Sequence, residues 1–163
     1  MDQASVPDRD PIFLYDDAVL IEEATAPDLT VVTTFHADDR HWRAVLSYGQ
    51  PIPGPHDDHN DADAVRDGYD EFWRICAIDQ DGLPHAIWEV YVRNKTDVLS
   101  KAIQVDHRCK GKGIGSRFAL ALRKAMKVQW SGYYTGEGLR LKTAVERLEA
   151  LAALDEADRE EQS

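Results

Sequence analysis

The chain has 163 residues, which suits one domain around one core and is too short for two comfortable ones. Its 19 Lys and Arg against 30 Asp and Glu leave a formal charge of −11. That balance argues against a general nucleic-acid binder and favours a cationic or neutral substrate. No apolar run approaches membrane-spanning length, and the first residues, MDQASVPDRDP, lack the basic and apolar regions of a signal peptide. The expectation is a soluble cytoplasmic protein without a membrane partner. Cys76 and Cys109 alone make neither a disulfide framework nor a metal cluster, so no metal site is expected.

In chain order, residues 1–11 are rich in Asp, Pro and Ser and should be loosely held. Residues 12–23 hold two short apolar runs, FLY and AVLIEE, either of which suits an early strand. Leu29, Val31, Thr33 and Phe35 alternate among β-branched neighbours, which predicts a strand. Residues 36–49 fit two templates. Asp38 suits the cap of a helix burying Trp42, Val45 and Leu46, while Trp42, Ala44, Leu46 and Tyr48 alternate as in a strand.

Residues 51–70 turn polar and read as a solvated acidic loop. His56, Asp57, Asp58, His59, Asp61 and Asp63 fail the register of a calcium loop, but at a substrate mouth they would attract amines. Three strands should follow at 72–79, 86–92 and 98–105, the first two joined by a turn at Gln80-Asp81-Gly82. An amphipathic helix at 114–127 places Ile114, Phe118, Ala121, Leu122 and Ala125 on one face. A short β-prone run at 129–134, a break near Thr135 and a last helix at 139–154 complete the domain. The acidic end, 155–163, should fray.

The strongest chemical signal lies where the strand ending at Val105 meets the helix. Gly111, Gly113 and Gly115 alternate, so backbone there can take positive φ and approach a ligand closely. The first helical N–H groups then point at one spot together with the positive end of the helix dipole, which suits an anion such as phosphate. A Walker loop is excluded because GxxxxGK[ST] is absent, and GxGxG is not the dinucleotide GxGxxG. His107, Arg108, Lys110, Lys112, Arg117, Arg123, Lys124 and Lys127 crowd around this turn in an otherwise acidic protein. Positive charge kept at one anion site fits a polyphosphate ligand. The plainer alternative makes Arg117, Lys124 and Lys127 a solvated helix face.

Lys110-Gly111-Lys112-Gly113-Ile114-Gly115, following a strand that ends in Val105, resembles the acyl-CoA loop [RQ]-x-x-G-x-[GA] of the GNAT superfamily of N-acyltransferases. Lys110 stands where the family has Arg or Gln. A second register, Arg108-x-x-Gly111-x-Gly113, meets the motif literally but fits the strand-to-loop distance less well. The resemblance spans roughly residues 72–134. It implies a single α+β domain, a mostly antiparallel twisted sheet flanked by helices, one or two helices between the first two strands, and the cofactor helix after the fourth strand. It further implies an acetyltransferase that uses acetyl-CoA as cosubstrate and a primary amine of a small molecule or protein as acceptor. In this reading Val105 holds pantetheine, and Lys110, Gly111, Lys112, Gly113, Ile114, Gly115 and Ser116 hold pyrophosphate.

The chain departs from the family after its fifth strand, where it ends in one helix, so the sheet should be smaller or be completed from the N-terminal side. The Tyr that commonly protonates the leaving thiolate has no matching position, which leaves Tyr133 and Tyr134 as candidates. For the base, Glu89 is the first candidate, with His85 and Asp106 behind it. The competing class is a non-catalytic binding module that retains CoA. Trp42, Trp73, Trp88 and Trp130 offer aromatic area for a homodimer contact.

Overall fold

The computed structural model describes residues 30–52, 54, 59–80, 84–105, 113–131 and 136–162. Among these, five strands form one sheet in the order β1 (Thr30–Ala37), β2 (Arg40–Pro51), β3 (Glu71–Ile78), β4 (Pro84–Arg93) and β5 (Asp97–Val105). Every neighbouring pair is antiparallel, so the sheet is a meander in chain order. Helix α1 (His59–Arg66) lies between β2 and β3, while α2 (Ile114–Met126) and α3 (Gly136–Gln162) follow the sheet. The class is therefore mixed α+β. The strands at 12–23 lie outside the described residues.

Residues 36–49 resolve as strand. Asp38 caps no helix; with Asp39 it forms a two-residue turn at φ 52° and 58°, and Ala37 pairs with Arg40 across it. Positive φ at both central residues gives the turn the twist a hairpin needs, and Asp tolerates that conformation better than most residues. Asn94 and Lys95, at φ 54° and 62°, belong to a longer, three-residue turn, 94–96, between β4 and β5, whose ends Arg93 and Asp97 pair. No helix separates β1 from β2, contrary to the implied family order. The loop expected over 51–70 instead holds α1, and the helix bearing the glycines follows the fifth described strand, not the fourth.

Alternation along the strands assigns the two faces. On one face Phe35, Trp42, Ala44, Ile75, Trp88, Val90 and Val98 meet Ile114, Phe118 and Leu122 of α2 and Val145 of α3. The alternate residues Phe72 and Tyr91 meet Ala64 of α1 on the opposite face. On α2 the buried set includes Ala119, whereas Ala125 is exposed. Trp42 and Trp88 are fully buried, and each indole N–H is satisfied, by the Ala37 carbonyl (3.0 Å) and the Ser100 hydroxyl (2.8 Å). Trp73 and Trp130 pack, partly buried, against the same core.

After α2 the chain returns beside β5, running parallel to it. The Gln129 N–H donates to the Val98 carbonyl and the Ser100 N–H to the Gln129 carbonyl, both at 2.8 Å. Leu99 and Gln129 form an isolated bridge, and Trp130 and Ser131 continue without strand geometry. The strand expected over 129–134 is reduced to this contact among the described residues. At the C-terminal end α3 starts at Gly136 and continues as helix to Gln162. Among the described residues no helix is long and apolar enough to cross a membrane.

Candidate functional site

The end of β5 and the start of α2 form one packed unit. Gly113 is the N-cap residue of α2 at φ 77°, in the left-handed region that glycine adopts without steric cost. A Cβ there would meet nothing within 4 Å, so the requirement is conformational and the space beside it is open. Gly115 has the opposite reason. A Cβ at Gly115 would lie 2.7 Å from Val105 Cγ2, so only glycine lets the first turn of α2 sit on the last residue of β5. Two of the alternating glycines thus do different work, one shaping the turn and one allowing close approach.

The first backbone bond of α2 runs from the Arg117 N–H to the Gly113 carbonyl at 3.1 Å. The N–H groups of Ile114, Gly115 and Ser116 precede it, as the orphan donors of a helix start must. Among the described residues no side chain caps this terminus, and no acid lies in its first turn. The Ser116 hydroxyl bonds back to the Gly113 carbonyl at 3.2 Å. The positive end of the helix dipole therefore has no carboxylate of its own helix to offset it, and Arg117 adds to it. Val105, Gly113, Ile114, Gly115 and Ser116 are brought together here. Lys110, Gly111, Lys112, Tyr133 and Tyr134 lie outside the described residues, as do Asp106, His107, Arg108 and Cys109.

No family model, curated protein or solved structure matches the chain. The physical reading of the site therefore rests on its own geometry.

The positive charge expected around the turn divides into two sorts. Arg117, Lys124 and Lys127 are exposed, but Arg123 is structural. Its Nε lies 3.1 and 3.2 Å from the two Glu149 oxygens, and its guanidinium sits 5.0 Å from the Trp130 ring centroid. Arg123 thus ties α2 to α3 and to the returning chain, and it is not unopposed by acid.

Glu89 is only 3% exposed. It alternates with Trp88 and Val90, so it points away from α2, and its Cα partners are Arg74 on β3 and Ala102 on β5. The β4–β5 register slips at this point: Glu89 faces Ala102 and Val90 faces Ser100, which leaves Lys101 as the extra residue of a bulge. Bulges re-aim backbone and side chains locally. Lys101 Nζ reaches Asp61 Oδ1 of α1 at 2.9 Å and lies 5.1 Å from the Phe72 ring centroid. The Tyr91 hydroxyl donates to the same Asp61 oxygen. Asp61 is therefore a neutralised anchor of α1, not an open acid awaiting an amine. Asp63 is likewise engaged, by His59 and Arg66. Asp57 and Asp58 lie outside the described residues, and among those that are described no three His, Cys, Asp or Glu side chains converge as a metal would need. Sequence reasoning missed the Lys101–Asp61–Tyr91 cluster because its members are 10 to 40 residues apart and only the sheet register unites them.

His85, near Val105 through the Ala86–Val105 pair, is already committed. Its Nε2 lies 2.7 Å from Asp79 Oδ2, and its ring meets the edge or face of Trp42 at 5.1 Å between centroids. At the far end of β4, Arg93 bonds Asp97 and lies over the Tyr69 ring at 4.7 Å. Burial raises the Tyr69 pKa, and the Asp97 carboxylate raises it further.

Proposed function

We propose that the chain transfers an acetyl group from acetyl-CoA to a primary amine of a small molecule or protein, by direct attack in a ternary complex. The observation that carries the reading is the uncapped, acid-free start of α2 held on the end of β5 by the Val105–Gly115 contact. In this proposal the N–H groups of Ile114, Gly115 and Ser116 bind pyrophosphate, and Lys110, Gly111, Lys112 and Gly113 complete the cradle. The pantetheine arm runs back along β5 from Val105, on the edge where, among the described residues, the returning chain bridges at Leu99.

The strand register supports a narrower form of this proposal. Glu89 faces Ala102, three residues before Val105, about 10 Å along the strand. A base for the amine and an N–H for the thioester carbonyl must both lie within hydrogen-bond reach of one reacting group. The acetyl group is therefore assigned to the bulge at Lys101 and Ala102, not to Val105. There the amine nitrogen attacks the carbonyl carbon, the C–S bond breaks, and CoA leaves as thiolate. Glu89 takes the amine proton directly or through water, and Tyr133 or Tyr134 protonates the thiolate. Most of the acceleration comes from positioning.

Calorimetric titration with acetyl-CoA, beside ATP and NAD, tests the cofactor assignment. Micromolar binding of acetyl-CoA alone is expected, and absence of binding would sink it. Release of CoA with a panel of amines tests turnover. Binding without release under any acceptor would return the chain to the non-catalytic class.

A further inference from the structure

Helix α3 has a second half that packs on nothing described. Its first half reaches α2 through Leu141, Val145 and Glu149, but every residue from 150 to 160 is exposed. Those residues extend about 16 Å along the helix axis. An isolated helix of this length is marginal in water even with good propensity. Yet Leu151 and Leu154 stand 54% and 62% exposed within it.

The seam containing these leucines has a definite charge order. Arg140, Ala144, Arg147, Leu151, Leu154 and Asp158 follow one another at alternating steps of four and three, which keeps them on one face. The seam is basic at its start, apolar in the middle and acidic at its end. We infer that it is the contact between two copies of this chain, which pair their α3 helices antiparallel about a two-fold axis between Leu151 and Leu154.

That axis sets Leu151 of one protomer on Leu154 of the other, twice, and places each Arg147 beside the other protomer's Asp158. The face is thus self-complementary, as a two-fold contact must be. A parallel pair would oppose Arg147 to Arg147 and Asp158 to Asp158. Like charges facing each other are disfavoured, while the antiparallel arrangement also opposes the helix dipoles favourably. An overlap from 147 to 158 covers about 18 Å of helix. This is a smaller contact than the roughly 1,200–2,000 Å² of stable complexes, so the dimer forms in a concentration-dependent, micromolar range.

Sedimentation equilibrium of the full chain, over micromolar to near-millimolar concentration, tests this. Reversible growth from the 18.4 kDa chain toward twice that mass is expected. The paired change Leu151→Glu with Leu154→Glu should leave only monomer; both positions are more than half exposed, so the fold is retained, as circular dichroism would verify. Arg147→Asp or Asp158→Arg alone should weaken association by about tenfold or more, and the two together should restore it. Monomer at all concentrations would overturn the proposal. So would a dimer indifferent to the leucine changes, or a charge swap that fails to rescue.

Discussion

Gly115→Ala tests whether strand and helix really meet as closely as the site requires. The added methyl would sit 2.7 Å from Val105 Cγ2, a branched side chain with little rotamer freedom, while its next neighbour, Leu141 Cδ1, is at an ordinary 3.6 Å. Overpacking of this kind costs about 1–3 kcal/mol. Alanine's helix propensity returns up to about 1 kcal/mol of that, less in a first turn than in a helix interior. A net loss of about 1 kcal/mol is expected, or a fall of roughly 2–4 °C in Tm for a chain of this size. Truncating Val105 to Ala removes the clashing methyl, so in that background Gly115→Ala should become neutral or stabilising. Urea denaturation of all four proteins would then give a coupling of about 2 kcal/mol. If the two changes add within about 0.5 kcal/mol, the close approach is not the reason for glycine at 115.

Three further outcomes follow from the described contacts. Gly113→Ala should cost about 1–2 kcal/mol through left-handed backbone strain, since its Cβ meets nothing, and Gly113→Asn should cost less; thermal unfolding checks the order. Asp61→Ala should destabilise by about 3 kcal/mol, because it removes a carboxylate that pairs with the largely buried Lys101 ammonium, whereas Asp61→Leu combined with Lys101→Met should lose much less, as denaturant midpoints would report. Tyr69 has a folded-state pKa raised above its unfolded value, chiefly by burial and secondarily by Asp97. Its contribution is fully present below the unfolded value, about 10, and is lost as pH rises through the folded value. Stability should therefore decline more steeply above about pH 10 in the parent than in Tyr69→Phe, as unfolding curves at increasing pH would show.

The sequence made the centre of the fold legible. Strands β3, β4 and β5 and helix α2 were readable because apolar alternation, turn residues and helical periodicity agree along each one. Strand β1 was readable by the same alternation, but β2 was left between helix and strand, because the turn before it is Asp-Asp, and Asp before an apolar run signals a helix cap as strongly as it signals a turn. Helix α1 was hidden by composition: its stretch, HNDADAVR, buries only Ala64, and an acidic segment with one buried residue has no apolar period to read. The persistence of α3 to Gln162 was missed for a related reason, since the end has strong helix formers but no buried face.

Within the site, the glycine spacing predicted a turn and a helix start, and the structure describes the helix start with Gly113 as its N-cap. Spacing alone did not separate the role of Gly113 from that of Gly115. The Lys101 bulge, which relocates the proposed chemistry, leaves no trace in local sequence because it exists only as a mismatch between two strands. Arg123 shows the converse: its charge suggested a ligand, and only the position of Glu149 reveals a tie between helices.

The unbroken neighbour order of the sheet bears on how the molecule comes to be folded. Each strand pairs with the one made just before it, so the ladders can zip one after another with small loop-closure cost, apart from the α1 excursion between β2 and β3. The longer-range steps come after: α2 must dock on β1, where Phe118 meets Phe35, and Gln129 must find Leu99 after all of α2 has intervened. Amide exchange should therefore be slowest in the central ladder of β3 and β4 and fastest at the Ser100–Gln129 bond, leaving the edge beside the proposed cofactor groove the first part of the sheet to open.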